Sequence, residues 1–276
     1  MSLISHSSKI LLWVILSRLK AKAEELPAEE QASFRPGRST VEQTFNSRVI
    51  IEKHLQHQRD MFHNFLDFKN AIDRVLHAGL WQVLRGFNIE EGLIQAIQAL
   101  YENSSSAILF NSQLGEFFET TVGVRQGCLL ASIVFNLFQK NIMQKTLHDR
   151  YTSISIDGGS ICNLQFADDI DLMGGNNGEL QDLSNRFVDR ATAYGVTISI
   201  QKCKIVTNST KNINAYIIMN GQKLEEVTSF KYLGTTLSKG GTCSAEVRIR
   251  IASATAANAR LNRIWRSNTI SFESKF

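Results

Sequence analysis

A chain of 276 residues has room for one large domain or two small ones. An apolar fraction of 43% and a charged fraction of 20% exclude a disordered or collagen-like chain and fit a globular protein with a substantial core. A net charge of +4 is too small to argue for a nucleic-acid partner by itself, so that case rests on how the charge is distributed.

From the N-terminus, the apolar run Ile10 to Leu16 is too short to span a bilayer and is followed at once by Arg18, Lys20 and Lys22. Those charges also argue against cleavage at Ala21-Lys22-Ala23, so a soluble intracellular protein with no membrane partner is expected. Residues 8–25 read as a helix. The loop over 27–37 holds both prolines, Pro27 and Pro36, and Ser39 with Glu42 then makes a capping-box pattern opening a second helix that runs to His57. Residues 61–68 read as a strand, 80–103 carry apolar residues at helical spacing, and 106–111 with 115–121 look like paired strands. A long helix is expected over 128–147. Strands over 152–156 and 161–166 turn at Gly158-Gly159. The second of them, with 170–173, flanks Ala167-Asp168-Asp169 and puts two carboxylates in a tight turn between apolar strands.

Residues 180–194 read as helical, 196–206 as extended and 216–237 as several short strands. In a last helix over 243–267, Val247, Ile251, Ala254, Leu261 and Trp265 form one apolar stripe interrupted by Asn258. From Gly241 onward Arg248, Arg250, Arg260, Arg263, Arg266 and Lys275 face only Glu246 and Glu273, which makes the C-terminal segment basic. Cys128, Cys162, Cys203 and Cys243 lie too far apart along the chain to suggest a zinc ribbon or a disulfide framework. The elements together point to an α+β fold, an antiparallel sheet with helices on one face.

Asp67 ends the apolar strand segment Phe65-Leu66-Asp67-Phe68, and Asp168-Asp169 sit in the hairpin turn. Strand ends and turns can bring such residues together, and phosphoryl transfer is the chemistry that uses them. There two divalent cations about 4 Å apart, held by carboxylates, clamp the attacking and leaving oxygens. An isolated Asp-Asp pair is more often a solvated turn. What shifts the balance is an ordered series: Phe34-Arg35-Pro36-Gly37-Arg38-Ser39-Thr40, Leu66-Asp67-Phe68-Lys69-Asn70-Ala71-Ile72-Asp73, Gly123-Val124-Arg125-Gln126-Gly127-Cys128, Phe166-Ala167-Asp168-Asp169 and Phe230-Lys231-Tyr232-Leu233-Gly234. Over essentially its whole length the chain resembles the reverse transcriptase domain of non-LTR, LINE-type retrotransposons.

That resemblance implies a right-hand polymerase palm with partial fingers over 1–60 and the palm over 61–225, including a fingers-like helical insertion at about 78–122. The primer-grip hairpin and the start of a helical thumb follow over 226–276. It implies RNA-directed DNA polymerase activity by a two-metal mechanism, with Asp67, Asp168 and Asp169 as catalytic metal ligands for two Mg²⁺ ions, Mn²⁺ being a substitute. Lys202, with Lys204 as its rival, would act on the leaving pyrophosphate. Arg38, Phe68, Ile72, Gln126 and Gly127 would bind the incoming nucleotide, and Arg35 would lie near the triphosphate. Tyr232, Leu233, Gly234, Arg248, Arg260 and Arg263 would hold primer and duplex. Asp73 reads as a supporting acid or a solvated helix start.

The partners implied are an RNA template, a DNA primer and deoxynucleoside triphosphates, with nuclear action if the parent element behaves like its family. Ile72 stands where the family carries an aromatic residue, Ala131-Ser132 replaces Ser-Pro, Cys203 replaces Thr and Ser33 replaces Gly. The chain is expected to begin partway through the fingers and to stop within the thumb. A catalytically inactive remnant that keeps the palm fold and at most binds nucleic acid is the alternative reading. A metal-dependent phosphatase or nuclease using the same aspartates is the third.

Overall fold

Six consecutive buried residues, Met61–Leu66 (β1), form the centre of a five-stranded sheet. In this computed structural model the described residues are 6–24, 30–70, 72–102, 105–119, 122–124, 128–148, 153–156, 158–211, 213–242 and 244–266. Two helices precede the centre strand, α1 (His6–Glu24) and α2 (Thr40–Gln56). The Ser39 hydroxyl caps α2 by accepting the Glu42 N–H at 3.2 Å, as the capping pattern predicts. The remaining sheet strands are β2 (Asn163–Phe166), β3 (Asp169–Gly174), β4 (Lys204–Asn208) and β5 (Glu225–Glu226), in the order β5-β4-β1-β3-β2. All neighbours are antiparallel except β5, which runs parallel to β4, so the sheet is mixed.

Alternation along β1 divides two cores. Phe62 and Leu66 join Ile170, Leu172 and Ile205 on one face. There they pack with Leu180, Leu183 and Phe187 of α6 (Asn177–Ala193) and Phe138 and Ile142 of α5 (Ala131–Leu147). Met61 and Phe65 join Leu164, Met173 and Val206 on the opposite face, under Ile50 and Ile51 of α2 and under Tyr232 and Leu237 of a hairpin, β6 (Ser229–Tyr232) and β7 (Thr235–Ser238). The sheet is therefore covered on both faces, not on one as the sequence suggested, because α2 folds back over the second face.

The stretch expected to be one helical run over 80–103 is two helices, α3 (His77–Gly86) and α4 (Glu91–Tyr101). The chain breaks at Asn88, whose φ of +55° is left-handed. The expected pairing beyond it is present as nested short hairpins, Ser105–Ser106 with Phe118–Glu119 and Leu109–Phe110 with Gln113–Leu114. Residues 196–206 are less extended than expected: strand begins at Lys204, after a turn in which the Lys202 and Cys203 N–H groups both donate to the Ser199 carbonyl.

In the last helix, α7 (Ser244–Trp265), Val247, Ile251 and Leu261 of the predicted stripe are all exposed, and the side chain of Trp265 lies outside the described residues. The helix is tied to β7 near its start, where the Glu246 carboxylate accepts the Thr236 N–H at 2.8 Å and Arg250 donates to Thr235 Oγ1 at 3.2 Å. Among the described residues no helix is long and apolar enough to cross a membrane.

Candidate active site

The register of β1 against β3 builds the site. Leu66 is the partner of Ile170, and the next residues outward are Asp67 on one strand and Asp169 on the other. Alternation puts both on the face carrying Phe65, the face under the β6–β7 hairpin. The turn joining β2 to β3 consists of Ala167 and Asp168, with Phe166 paired to Asp169, so Asp169 is the first residue of its strand and Asp168 stands at the tip. Ala167 adopts φ +53°, which lets the two-residue connection close. Residues 67–69 are clamped from the other side. The Asp67 carbonyl accepts the Ser199 N–H at 2.8 Å, the Lys69 N–H donates to the Thr197 carbonyl at 2.8 Å, and Phe68 bridges to Ile198.

Asp67, Asp169 and Lys202 line one small cleft, about 40 Å³, together with Phe65, Phe230 and Tyr232. The Lys202 ammonium donates to Asp67 Oδ1 at 3.1 Å. Lys204, the rival, is engaged elsewhere, donating to Glu225 at 2.7 Å and to the Gln201 carbonyl at 3.0 Å, so the geometry selects Lys202 as the cleft lysine. The Asp169 carboxyl is pushed up to about 6, first by burial and then by the negative charges of Asp168 and Asp67. Three carboxylates from two chain segments thus share one electrostatic environment, with Lys202 the cation beside them. Among the described residues no group of three His, Cys, Asp or Glu side chains is placed to hold a metal ion. The donor set still suits a hard divalent ion, whose remaining ligands would be water and substrate oxygens.

Other expected positions fall variously. Tyr232 is buried with its ring 5.3 Å from that of Phe65, and Phe230 stacks on Phe65 at 4.4 Å, so these side chains form the wall beside the carboxylates. Leu233 and Gly234, at φ +47° and +82°, make the two-residue turn of that hairpin. Phe68 does not face the cleft: 6% exposed, it packs against Phe187 at 5.9 Å on the helix-covered face, because it follows Asp67 and so points the other way. Ile72 is half-buried in a 3₁₀ turn, its carbonyl accepting the Val124 N–H at 2.7 Å. Gln126 and Gly127 lie outside the described residues.

Gly123 does require glycine, at φ +89° with a Cβ position 2.8 Å from the Asp73 carbonyl oxygen, so its close approach is to the chain itself. Arg38 pairs with Glu42 within the first turn of α2. Arg35 donates to the Gln31 carbonyl at 3.3 Å and borders an apolar groove between α1 and α5. The 30–33 segment carrying this loop runs beside β2, where the Ala32 N–H donates to the Gln165 carbonyl and the Gln165 N–H to Glu30. Both arginines are thereby held on the chain leading past the carboxylate hairpin. Arg248 and Arg260 stand exposed on α7, and the side chain of Arg263 lies outside the described residues.

Sequence reasoning passed over two polar residues on the same face as the carboxylates, His63 and Asp171, which bond to each other beneath the cleft. Their signal was parity: each lies an even number of positions from Asp67 or Asp169 inside an otherwise apolar strand.

Comparison with known proteins agrees with this geometry. The family model described as reverse transcriptase (RNA-dependent DNA polymerase) matches residues 1–237. A retrovirus-related Pol polyprotein from the type-2 retrotransposable element R2DM of Drosophila melanogaster is 24% identical over 263 residues, covering 91% of this chain and 24% of that protein. The RNA-directed DNA polymerase from mobile element jockey of Drosophila funebris is 24% identical over 248 residues, 86% of this chain and 26% of that one. The chain thus spans about a quarter of the length of these relatives. Among solved structures, apo telomerase from Candida tropicalis truncated from its C-terminal domain superposes with a TM-score of 0.59 at 15% identity, over 82% of this chain and 45% of that chain. Telomerase from Candida albicans superposes with a TM-score of 0.53 at 12% identity, over 85% and 38%. These likenesses show the α+β polymerase palm.

Proposed function

Because the chain belongs to the reverse transcriptase family, alongside the polymerases of non-LTR retrotransposons, we propose that it extends a DNA primer on an RNA template by nucleotidyl transfer from deoxynucleoside triphosphates. The observation that carries this reading is the meeting of Asp67 with Asp169, from segments a hundred residues apart, on one sheet face with Asp168 adjacent. Asp67, Asp168 and Asp169 are the residues that would hold divalent cations; burial first, and then the neighbouring negative charges of Asp168 and Asp67, raise the affinity of Asp169 for a proton, and a bound cation would offset that charge. When bound, Mg²⁺, or Mn²⁺ in its place, neutralises charge on the attacking and leaving oxygens.

The chain's own residues supply the rest. Lys202, beside Asp67, is placed to give a proton or a positive charge to departing pyrophosphate. Phe65, Phe230 and Tyr232 wall the cleft with rings and keep water from one side of it. Ile72, a branched aliphatic, borders the sugar in this reading and opposes a 2′-hydroxyl by bulk alone. Arg35 and Arg38 are assigned to the triphosphate side, with Arg38 leaving Glu42 to reach it. The hairpin turn Leu233-Gly234 bears on the primer end, and Arg248, Arg260 and Arg263 follow duplex phosphates along α7. The division proposed is fingers over 1–60, palm over 61–225 with its helical insertion, and the primer-side hairpin with the start of the thumb over 226–276.

Primer extension on an RNA template, run beside an Asp168→Asn variant, tests the reading. Mg²⁺-dependent incorporation by the wild-type chain, and its loss by about a hundredfold or more in the variant, is the expected result. Equal incorporation by both proteins, or salt-sensitive binding with no extension under either metal, would overturn it.

A further inference from the structure

His63 and Asp171 lie on the catalytic face of the sheet, yet the reaction has no use for them. His63 Nδ1 stands 2.8 and 3.1 Å from the two carboxylate oxygens of Asp171, and the side chains are 1% and 0% exposed. Their neighbours across the strands are apolar: Val206 and Met173 beside His63, Leu164 and Phe65 beside Asp171. The Phe65 ring lies parallel to the imidazole, 5.7 Å away at 3°. Asp171 is two residues from Asp169 and His63 four from Asp67, so the pair sits directly below the carboxylates of the cleft.

A buried acid–base pair of this kind adds little stability over well-packed apolar side chains and is often worse than they are. What it adds is selectivity, since any arrangement that parts the partners leaves each one buried and unpaired. The arrangement at stake here is the register of β1 on β3. A slip of one residue would turn every side chain to the wrong face, and the two apolar cores already forbid that. A slip of two residues keeps apolar residues on their proper faces and is not opposed by hydrophobic pattern. The bond is diagonal, His63 lying opposite Met173 and Asp171 opposite Phe65, so a slip that carries Asp67 toward Asp171 would draw His63 away from Asp171 and, with the same movement, part Asp67 from Asp169.

We propose that His63 and Asp171 form a positioning pair that opposes the slip of β1 on β3 by which Asp67 would pass Asp169 toward Asp171, and so helps keep the carboxylates of Asp67 and Asp169 facing each other across the cleft. The inference rests on the nucleotidyl-transfer reading of that cleft and names what holds its ligands in place. Neither residue touches substrate; they act through the strands that carry the two aspartates.

The test uses the full chain and three proteins: wild type, His63→Leu with Asp171→Leu, and the exchanged pair His63→Asp with Asp171→His. Thermal unfolding, Mn²⁺ affinity by electron paramagnetic resonance, and single-nucleotide extension are measured on each. The apolar pair is expected to unfold at or above the wild-type temperature while binding Mn²⁺ about tenfold more weakly. Its kcat should fall on the order of tenfold, in step with the Mn²⁺ affinity and with KM for the nucleotide unchanged, as when about a tenth of the molecules keep the native register. The exchanged pair, which keeps the bond across the strands, is expected to recover most of both losses. A folded apolar pair with wild-type Mn²⁺ affinity and kcat would overturn the inference. So would an exchanged pair that folds without recovering Mn²⁺ affinity, and this arm decides the matter if the apolar pair does not fold. Absence of Mn²⁺ binding by the wild-type chain would instead overturn the proposed function, and the positioning role with it.

Discussion

Replacing Lys202 by alanine separates a structural ion pair from a group that acts in the reaction. The Lys202 and Asp67 side chains are 66% and 37% exposed, so their 3.1 Å contact is solvent-screened. Pairs of that kind contribute about 0–1 kcal/mol. A chain of this size loses only about 2–4 °C of Tm per kcal/mol, so Lys202→Ala should melt within a few degrees of wild type. If the ammonium protonates or neutralises departing pyrophosphate, the chemical step should instead slow by about 10²–10⁴-fold. The assay pairs a thermal melt with single-turnover extension by one nucleotide on an RNA template, with Lys204→Ala as the control. Lys204 bonds Glu225 and the Gln201 carbonyl rather than a cleft carboxylate, and its loss should leave the rate within about threefold. A Lys202→Ala protein that extends as fast as wild type would refute the role. A drop in Tm beyond 10 °C, roughly, would refute the structural accounting behind it.

Further consequences can be measured separately. Gly123→Ala forces a Cβ to 2.8 Å from the Asp73 carbonyl oxygen in a left-handed backbone, and denaturant titration should show a loss of roughly 1–3 kcal/mol. The Glu179 carboxylate is raised by burial, but hydrogen bonds from the Gly175 N–H, from Ser153 and from Asn176 outweigh that and hold it below its ordinary value of 4.5. Because its proton affinity is lower folded than unfolded, the stability it contributes is present above pH 4.5 and is lost as pH falls further. The stability gap between wild type and Glu179→Gln, followed by urea unfolding, should therefore be full at neutral pH and close in acid; a gap that widens in acid would contradict the assignment. Replacing both Arg248 and Arg260 by alanine should weaken binding to an RNA–DNA duplex whatever its sequence and reduce the salt slope of log K by about 2.

How far the sequence could be read depended on what kind of information each feature carried. β1 and the β2–β3 hairpin were legible because apolar strands flanking Asp168-Asp169 allow few other arrangements, and Ser39 with Glu42 marked the start of α2 by a local hydrogen bond. The break between α3 and α4 was hidden, since Leu84 and Leu93 keep a plausible helical spacing across it and only the left-handed Asn88 ends the run. Phe68 was assigned to the nucleotide by its place in a motif, whereas strand parity sends it to the opposite face from Asp67. Val247, Ile251 and Leu261 of the α7 stripe have no covering element among the described residues, since periodicity says which side chains align and nothing of what meets them. The His63–Asp171 bond needed the register of two strands 108 positions apart, which single-chain pattern does not fix.

The central claim is that Asp67 and Asp169 belong to one cation-binding site. Anomalous diffraction from crystals of the chain grown with Mn²⁺, primer–template and a non-hydrolysable nucleotide measures it directly. The account predicts peaks between the carboxylates of Asp67 and Asp169 and the nucleotide phosphates. Manganese bound elsewhere, or bound by one of these aspartates while the other turns away from it, would contradict it.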